Sequence, residues 1–389
     1  MNMIDRRSFL AGVGAIAMGG ASIAADDRKF RAAIIGHTGK GDYGHGLDVI
    51  FQGRSDVQVV AVADSDPGGR ARAAEKCGAL RQYENWRKLL ETEKPQLVCI
   101  APRQTPLRRE MLLESLNTGA HIICEKPFVR SPADGDEVLA LADQKHLKIA
   151  VMHQMRLAPA VVHLKKKLDQ GLIGDLVEMH AWGKQDSRAG GEDLLVLGVH
   201  LFDLMRLFAG EPSWCTARVL QKGREATLAD ARKPTEDIGP VLGDEINAQF
   251  AFDDGVCGTF TSRARLRDHA GSWGLELIGS KASARILADI WPRVFISHTD
   301  KWSDAGRVEQ WRPIEDDPAN QASADQRSTA LANTRIVDDW LGAIRQDRQP
   351  ICSGANGAKA IEMVMAVWRA GLSGSRVSLP LSKRGHALG

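Results

Sequence analysis

The most constraining feature of this chain is an apolar run, Phe30-Arg31-Ala32-Ala33-Ile34-Ile35, that stops at Gly36 and opens a glycine-rich loop over residues 36–46. A second apolar run, Val57-Gln58-Val59-Val60-Ala61-Val62-Ala63, follows, with further strand-like runs at 97–101 and 121–124. Short, nearly continuous apolar runs closed by glycine read as strands buried on both faces of a parallel sheet. Helical patterns at about 69–77, 84–93 and 107–118 separate them, and 47–51 also has helical character. Strands alternating with helices predict an α/β chain whose parallel sheet is wound by right-handed crossovers.

A glycine-rich turn between a first strand and a helix lets main-chain N–H groups approach a pyrophosphate. A G-x-G-x-x-G string runs through Gly39, Gly41 and Gly44, three residues beyond the strand end. Counted from Gly36, Thr38 stands where the second glycine is expected. Gly36, Thr38, Gly39, Lys40 and Gly41 are therefore the candidate cofactor-binding loop. Asp64 closes the second strand, where an acid accepts hydrogen bonds from the adenosine ribose and repels a 2′-phosphate. That favours NAD, and the nearby Arg70 leaves NADP open. Residues 29–152 are thus expected to form a Rossmann domain.

The run Ile122-Ile123-Cys124 ends in Glu125-Lys126-Pro127. A strand end at the carboxyl edge of such a sheet lies where cofactor and substrate meet. Pro127 restricts the residue before it, a firm mount for Lys126. A partly desolvated lysine there can donate to a substrate oxygen or take part in proton transfer.

Together the strand–glycine loop, Asp64, the Ala101-Pro102 strand end, Cys124-Glu125-Lys126-Pro127 and the later Gly198-Val199-His200 resemble the glucose–fructose oxidoreductase / inositol dehydrogenase (Gfo/Idh/MocA) family. The resemblance runs from about residue 28 to beyond 373. It implies a second α/β domain, residues 153–389, built on a large, mostly antiparallel sheet that carries a homo-oligomer interface, dimeric or tetrameric. It also implies a carbohydrate substrate, an active-site role for Lys126, and Glu125, Ala101 and Pro102 beside the cofactor. By the same likeness Gln154 and Arg156 lie near the nicotinamide. Relatives carry D-x-G-x-H; here His200 matches and can act as general acid or base, but the aspartate position is Val196. Glu192 and Asp193, a turn earlier, either supply the carboxylate or only favour the helix start.

In the second half, 175–182, 246–252, 256–266, 273–278 and 294–297 have strand composition, with Asp253-Asp254-Gly255 as a hairpin turn. Helices are expected at about 160–170, 334–346 and 358–372, and a polar loop over 304–325. Lys184 and Arg188 are further candidates for substrate contacts. Trp182, Trp273 and Trp291 serve either packing or sugar stacking.

A formal charge of +2 gives no basis for nucleic acid as the main partner, and the run Lys165-Lys166-Lys167 reads as a solvated helix face. The six cysteines lack metal-ligand spacing, and Cys99 and Cys124 sit in apolar runs as core thiols. Residues 1–25 form a separate segment: Arg6-Arg7-Ser8-Phe9-Leu10, a mildly apolar centre and small residues before Ala25 resemble a twin-arginine export signal. Its removal leaves no membrane span, and it places the protein in the periplasm or otherwise outside the cytoplasm. Free nicotinamide nucleotides are scarce there, so an exported enzyme is expected to retain its dinucleotide. The leading expectation is a redox-neutral oxidoreductase acting on a sugar or sugar-derived alcohol. The alternatives are glycoside cleavage through a transient keto sugar and a non-catalytic dinucleotide- or sugar-binding protein.

Overall fold

The structure, a computed structural model, describes residues 29–266, 271–298, 310–315 and 328–389. The expected export signal and most of the stretch 304–325 lie outside the described residues. A first sheet holds β1 (Phe30–Ile35), β2 (Val57–Ala63), β3 (Arg81–Tyr83), β4 (Leu97–Ile100), β5 (His121–Cys124) and β6 (Ile149–Val151). Their order is β3-β2-β1-β4-β5-β6 and every pairing is parallel. This is the Rossmann order. The four strands read from the sequence have buried cores, whereas β3 is a polar, largely exposed edge strand with no apolar run to announce it.

Helices α1 (Pro67–Cys77), α2 (Trp86–Glu93), α3 (Arg108–Asn117) and α4 (Pro132–Gln144) cross between the strands. The helix expected over 47–51 is only a three-residue 3₁₀ turn, Leu47–Val49. Its N-cap, Gly46, sits at φ 78° without a side-chain cap, and Gly53 returns to the left-handed region seven residues on. Helix α8 (Thr329–Arg345) covers that face instead: Ile336, Val337, Trp340 and Leu341 pack with Ala32, Ile34, Leu97 and Cys99. A helix from the segment assigned to the second domain thus completes the core of the first.

After α5 (Pro159–Asp169), the second sheet comprises β7 (Leu176–Trp182), β8 (Trp214–Gln221), β9 (Arg224–Glu225), β10 (Glu245–Ala251), β11 (Cys257–Arg263), β12 (Trp273–Gly279), β13 (Ser283–Ala288), β14 (Arg293–Ser297), β15 (Arg312–Pro313) and β16 (Val377–Ser378). The order is β15-β14-β13-β12-β7-β11-β10-β8-β16, with β9 on β8; only β7 and β11 pair in parallel. β10 and β11 form the expected hairpin, with Asp254 left-handed at its turn. β8 and β13 were not evident in the sequence.

One face of this sheet carries α6 (Gly191–Asp193), a π-helical turn (Leu194–Gly198), α7 (Val199–Ala209) and α9 (Gly354–Ser373). Phe202 of α7 meets Phe250 and Phe260 edge-on at 5.2 and 5.3 Å. α9 also packs on α4, fixing one sheet against the other. All six cysteines are free, with Cys99 and Cys124 fully buried. No helix among the described residues is long and apolar enough to cross a membrane.

Candidate active site

β5 delivers Glu125 and Lys126 to the carboxyl edge of the first sheet, and a buried arginine holds that edge in place. Arg108, at the start of α3, donates to the main-chain carbonyls of Glu125 and Pro102, and to that of Pro127 at 3.2 Å. One guanidinium therefore ties the ends of β4 and β5 together. The Glu125 side chain is fully buried and accepts from the His45 main-chain N–H and ring Nδ1, both at 2.7 Å, and from the Lys126 N–H at 3.0 Å. His45 holds the Glu125 carboxyl below its ordinary value against the opposing effect of burial.

Lys126 is 7% exposed and donates from Nζ to the main-chain carbonyl of Val196 at 3.1 Å. Where the aspartate of relatives is missing, a backbone oxygen of the π-helical turn receives the ammonium. A regular α-helix would set positions 196 and 200 on one face; the π turn over Leu194–Gly198 changes that spacing. Burial pushes the Lys126 ammonium down, with Arg103 and Lys184 adding to the effect while Glu125 and Glu236 oppose it. His200, 8% exposed, lines the same cavity, and burial with Lys126, His153 and His45 holds it well below the usual histidine value. Its Nδ1 has no hydrogen-bond partner among the described residues.

Behind His200 stands His153, ring centroids 5.3 Å apart, with its Nδ1 3.6 Å from Asp203. Arg156 chelates that carboxylate at 2.8 and 2.9 Å. Burial would raise the Asp203 carboxyl, but His153 and Arg156 keep it below the usual range. Arg156, expected near the nicotinamide, is thus spent on anchoring α7, whereas Gln154 does line the cavity.

The glycine loop reaches the site from the other side. A Cβ on Gly41 would lie 2.5 Å from the Arg103 nitrogen, and one on Gly44 would lie 2.5 Å from the Glu125 side chain. That closeness brings His45 to Glu125, and Asn333 of α8 holds the His45 carbonyl at 3.0 Å. Thr38 donates to Asp64 from its N–H at 3.0 Å and its hydroxyl at 2.7 Å, and the Asp66 N–H adds a third donor. Asp64 is 2% exposed, with its carboxylate turned into the loop, so a ribose that reaches it competes with Thr38. Gly39 and Lys40 form the exposed loop tip, and Ala101 is buried.

Two cavities flank this loop. One of about 550 Å³ lies at the ends of β1 and β2, lined by Gly36, His37, Asp64, Ser65, Trp86 and Leu107 among others. The second, about 270 Å³, holds Lys126, His200, His45, Gln154, Glu236 and Trp273. An extended dinucleotide needs an adenosine pocket and a nicotinamide site on either side of a close-approaching loop, and these residues fit it.

Lys184 and Arg188 line the second cavity; Glu192 and Asp193 do not. Glu192 bonds the Thr235 N–H and hydroxyl. Asp193 accepts from the Ser262 hydroxyl at 2.7 Å and the Lys184 N–H at 3.2 Å, and burial raises it to about 6. Of the two carboxylates that line the cavity with Lys126, Glu236 and Asp289, it is Glu236 that opposes the lysine's downward shift; sequence reasoning missed it, as it missed His45, Arg103 and Arg108. Only His45, directly after a loop glycine, had a local signal. Trp273 sits 6.1 Å from the His200 ring, while Trp182 and Trp291 bond main-chain carbonyls elsewhere. Because Glu236 supports the Lys126 ammonium, Glu236→Gln is expected to move the lysine-dependent limb of a pH–rate profile to lower pH. An unmoved limb would show that Glu236 does not act on Lys126.

Residues 30–153 match the oxidoreductase family with an NAD-binding Rossmann fold, and residues 165–379 match its C-terminal alpha/beta domain. The chain belongs to the Gfo/Idh/MocA oxidoreductase family. Residues 30–153 are accordingly an NAD-binding domain. Among similar proteins of the family is a levoglucosan dehydrogenase of Pseudarthrobacter phenanthrenivorans, 26% identical over 57% of this chain and 63% of that protein, so the match spans less than two thirds of the relative's length. A D-apiose dehydrogenase of Paraburkholderia graminis is 22% identical over 90% of both chains. Among solved structures, levoglucosan dehydrogenase in complex with NADH and L-sorbose superposes with TM-score 0.73 at 21% identity, covering 91% of this chain and all of that one. An aldose-aldose oxidoreductase from Caulobacter crescentus gives 0.68 at 20% identity, over 90% and 100%. These structural likenesses establish the two-domain Gfo/Idh/MocA fold.

Proposed function

We propose that this chain oxidises an alcohol carbon of a sugar or sugar derivative with a retained NAD and later returns the hydride, a redox-neutral cycle. The observation that carries the reading is the meeting of Lys126 and His200 in one cavity at the end of β5. NAD, when bound, supplies the hydride acceptor. Held neutral by burial, His200 takes the hydroxyl proton, while the Lys126 ammonium donates to the same oxygen and stabilises the charge that develops as the C–H bond breaks. Met155, Leu197 and Trp273 shield the reacting carbon from water.

The sign of the His200 shift gives a pH prediction. A base whose value is lowered from 6.5 stays unprotonated at neutral pH, so kcat/KM for oxidation should hold down to pH 6.5 and fall only below it. A limb at or above 6.5 that His200→Asn abolishes would contradict the assignment. Cofactor retention is tested by mass spectrometry of the denatured protein: released NAD, reduced before denaturation by added sugar, is the expected result. Protein free of dinucleotide would favour a non-catalytic binder.

Retention matters most for an exported enzyme, and the paired Arg6 and Arg7 support export; N-terminal sequencing of the mature protein should then begin at Ala25. The family likeness supports a homodimer or tetramer through the exposed face of the second sheet, which carries Asn247, Gln249, Thr261 and Arg218; light scattering reads it. A second reading is favoured by Glu236, a further proton acceptor in the cavity that His200 lines. Oxidation acidifies the neighbouring C–H, a base removes that proton, and the aglycone departs; water addition and hydride return complete glycoside cleavage. Release of p-nitrophenol from p-nitrophenyl glycosides without an added acceptor would select it.

A further inference from the structure

The loop from 183 to 190, between β7 and α6, is pinned along its length. Asp193 holds the Lys184 N–H, Gln185 accepts from the Arg263 N–H at 2.6 Å, Asp186 accepts from the Arg188 N–H at 2.9 Å, and the Ser262 hydroxyl accepts from Gly190 at 2.7 Å. A loop fixed by its backbone presents its side chains without further ordering cost. Two of those side chains, Lys184 and Arg188, are cationic and line the cavity opposite Lys126. Arg103 enters from the end of β4.

These charges are poorly neutralised. Glu236 lies 3.6 Å from Arg188 and 3.7 Å from Arg103, beyond good hydrogen-bond distance for either. Asp186 stands 3.9 Å from Arg188. The Arg103 Nε is buried without a hydrogen-bond partner among the described residues. Among the described residues, the cavity sets four cations, Lys126, Lys184, Arg103 and Arg188, against two carboxylates, Glu236 and Asp289. A sugar hydroxyl offers such donors a neutral acceptor; a carboxylate offers two oxygens and the missing charge.

We infer that Lys184 and Arg188 form a carboxylate subsite and that the preferred substrate is a sugar acid, a uronate or aldonate, rather than a neutral sugar. This rests on the proposed alcohol oxidation for its chemistry but not for its binding. The carboxylate would sit between the pinned loop and Arg103, leaving a ring or chain hydroxyl to face Lys126 and His200. It would also relieve the repulsion that these cations exert on Lys126.

The test uses full-length protein loaded with NADH or NAD and matched pairs differing only at C6: methyl glucoside, galactoside and mannoside against their methyl glycosiduronates. Calorimetric titration onto the NADH form reads binding, and reduction of NAD reads turnover. In at least one configuration the uronate should bind about ten-fold or more tighter than its neutral parent, with affinity falling as salt rises. Lys184→Gln and Arg188→Gln should each remove that preference, raising KM for the uronate more than they lower kcat, while NADH affinity stays unchanged. Equal or weaker binding of every uronate would overturn the inference, as would parallel weakening of NADH, which would assign the cations to the cofactor's phosphates. Selective uronate binding with no turnover would keep the subsite and remove the dehydrogenase reading instead.

Discussion

Replacing Lys126 with methionine is expected to lower kcat by about 10²- to 10⁴-fold, the range for loss of one positioned proton-handling group, while leaving the fold and NADH binding intact. The side chain is buried and its ammonium is disfavoured by that burial, so an apolar side chain of similar length removes an unfavourable charge. What is lost is the donor on the reacting oxygen, since the Val196 carbonyl merely loses one hydrogen bond. Steady-state rates with any confirmed substrate, alongside thermal melts and NADH titration, separate the two effects. Full turnover in the methionine variant would remove Lys126 from the chemistry.

The largest expected stability effect is at Arg108. Arg108 is 1% exposed, and its guanidinium is the shared donor to the Pro102, Glu125 and Pro127 carbonyls. Arg108→Met leaves those acceptors in the protein interior without that partner, a loss of about 3–5 kcal/mol by comparison with other broken buried charge interactions. The ends of β4 and β5 would no longer be tied, so Lys126 should lose its alignment even below the unfolding transition. Chemical denaturation and kcat measured well below the midpoint report the two consequences. A variant as stable as the parent, with unchanged kcat, would show that the carbonyls find other donors.

The sequence disclosed the first sheet unevenly. β1, β2, β4 and β5 are buried on both faces, and their apolar runs show it. β3 lies at an exposed edge, and its Arg-Gln-Tyr pairs with β2 by main-chain hydrogen bonds that any side chain allows. β8 mixes buried and half-exposed positions irregularly, and its alternation is lost. The short turn after the glycine loop was misread because 47–51 is apolar; its burial under α8's neighbours rather than helical periodicity explains that composition.

The site divides in the same way. Lys126 and His200 were legible because each stands in a local motif, one at a strand end and one in Gly198-Val199-His200. Arg156 was expected beside the nicotinamide, and Asp193 either as the missing carboxylate or only at the helix start; in the fold they are turned to Asp203 and Ser262. Glu236, Arg103 and Arg108 carried no motif, because their importance comes only from what they face.

By itself, then, the sequence determined the alternating α/β plan, the glycine loop and the strand-end lysine. All of these depend on residues a few positions apart, where periodicity and backbone preference act. Tertiary structure alone decided which groups surround that lysine: a backbone oxygen in place of the missing aspartate, Glu236 among the lining carboxylates, and cations from beyond the end of β4 and from a pinned loop. Those groups come from distant segments, and their charges interact strongly only after docking of the two sheets has excluded water from between them.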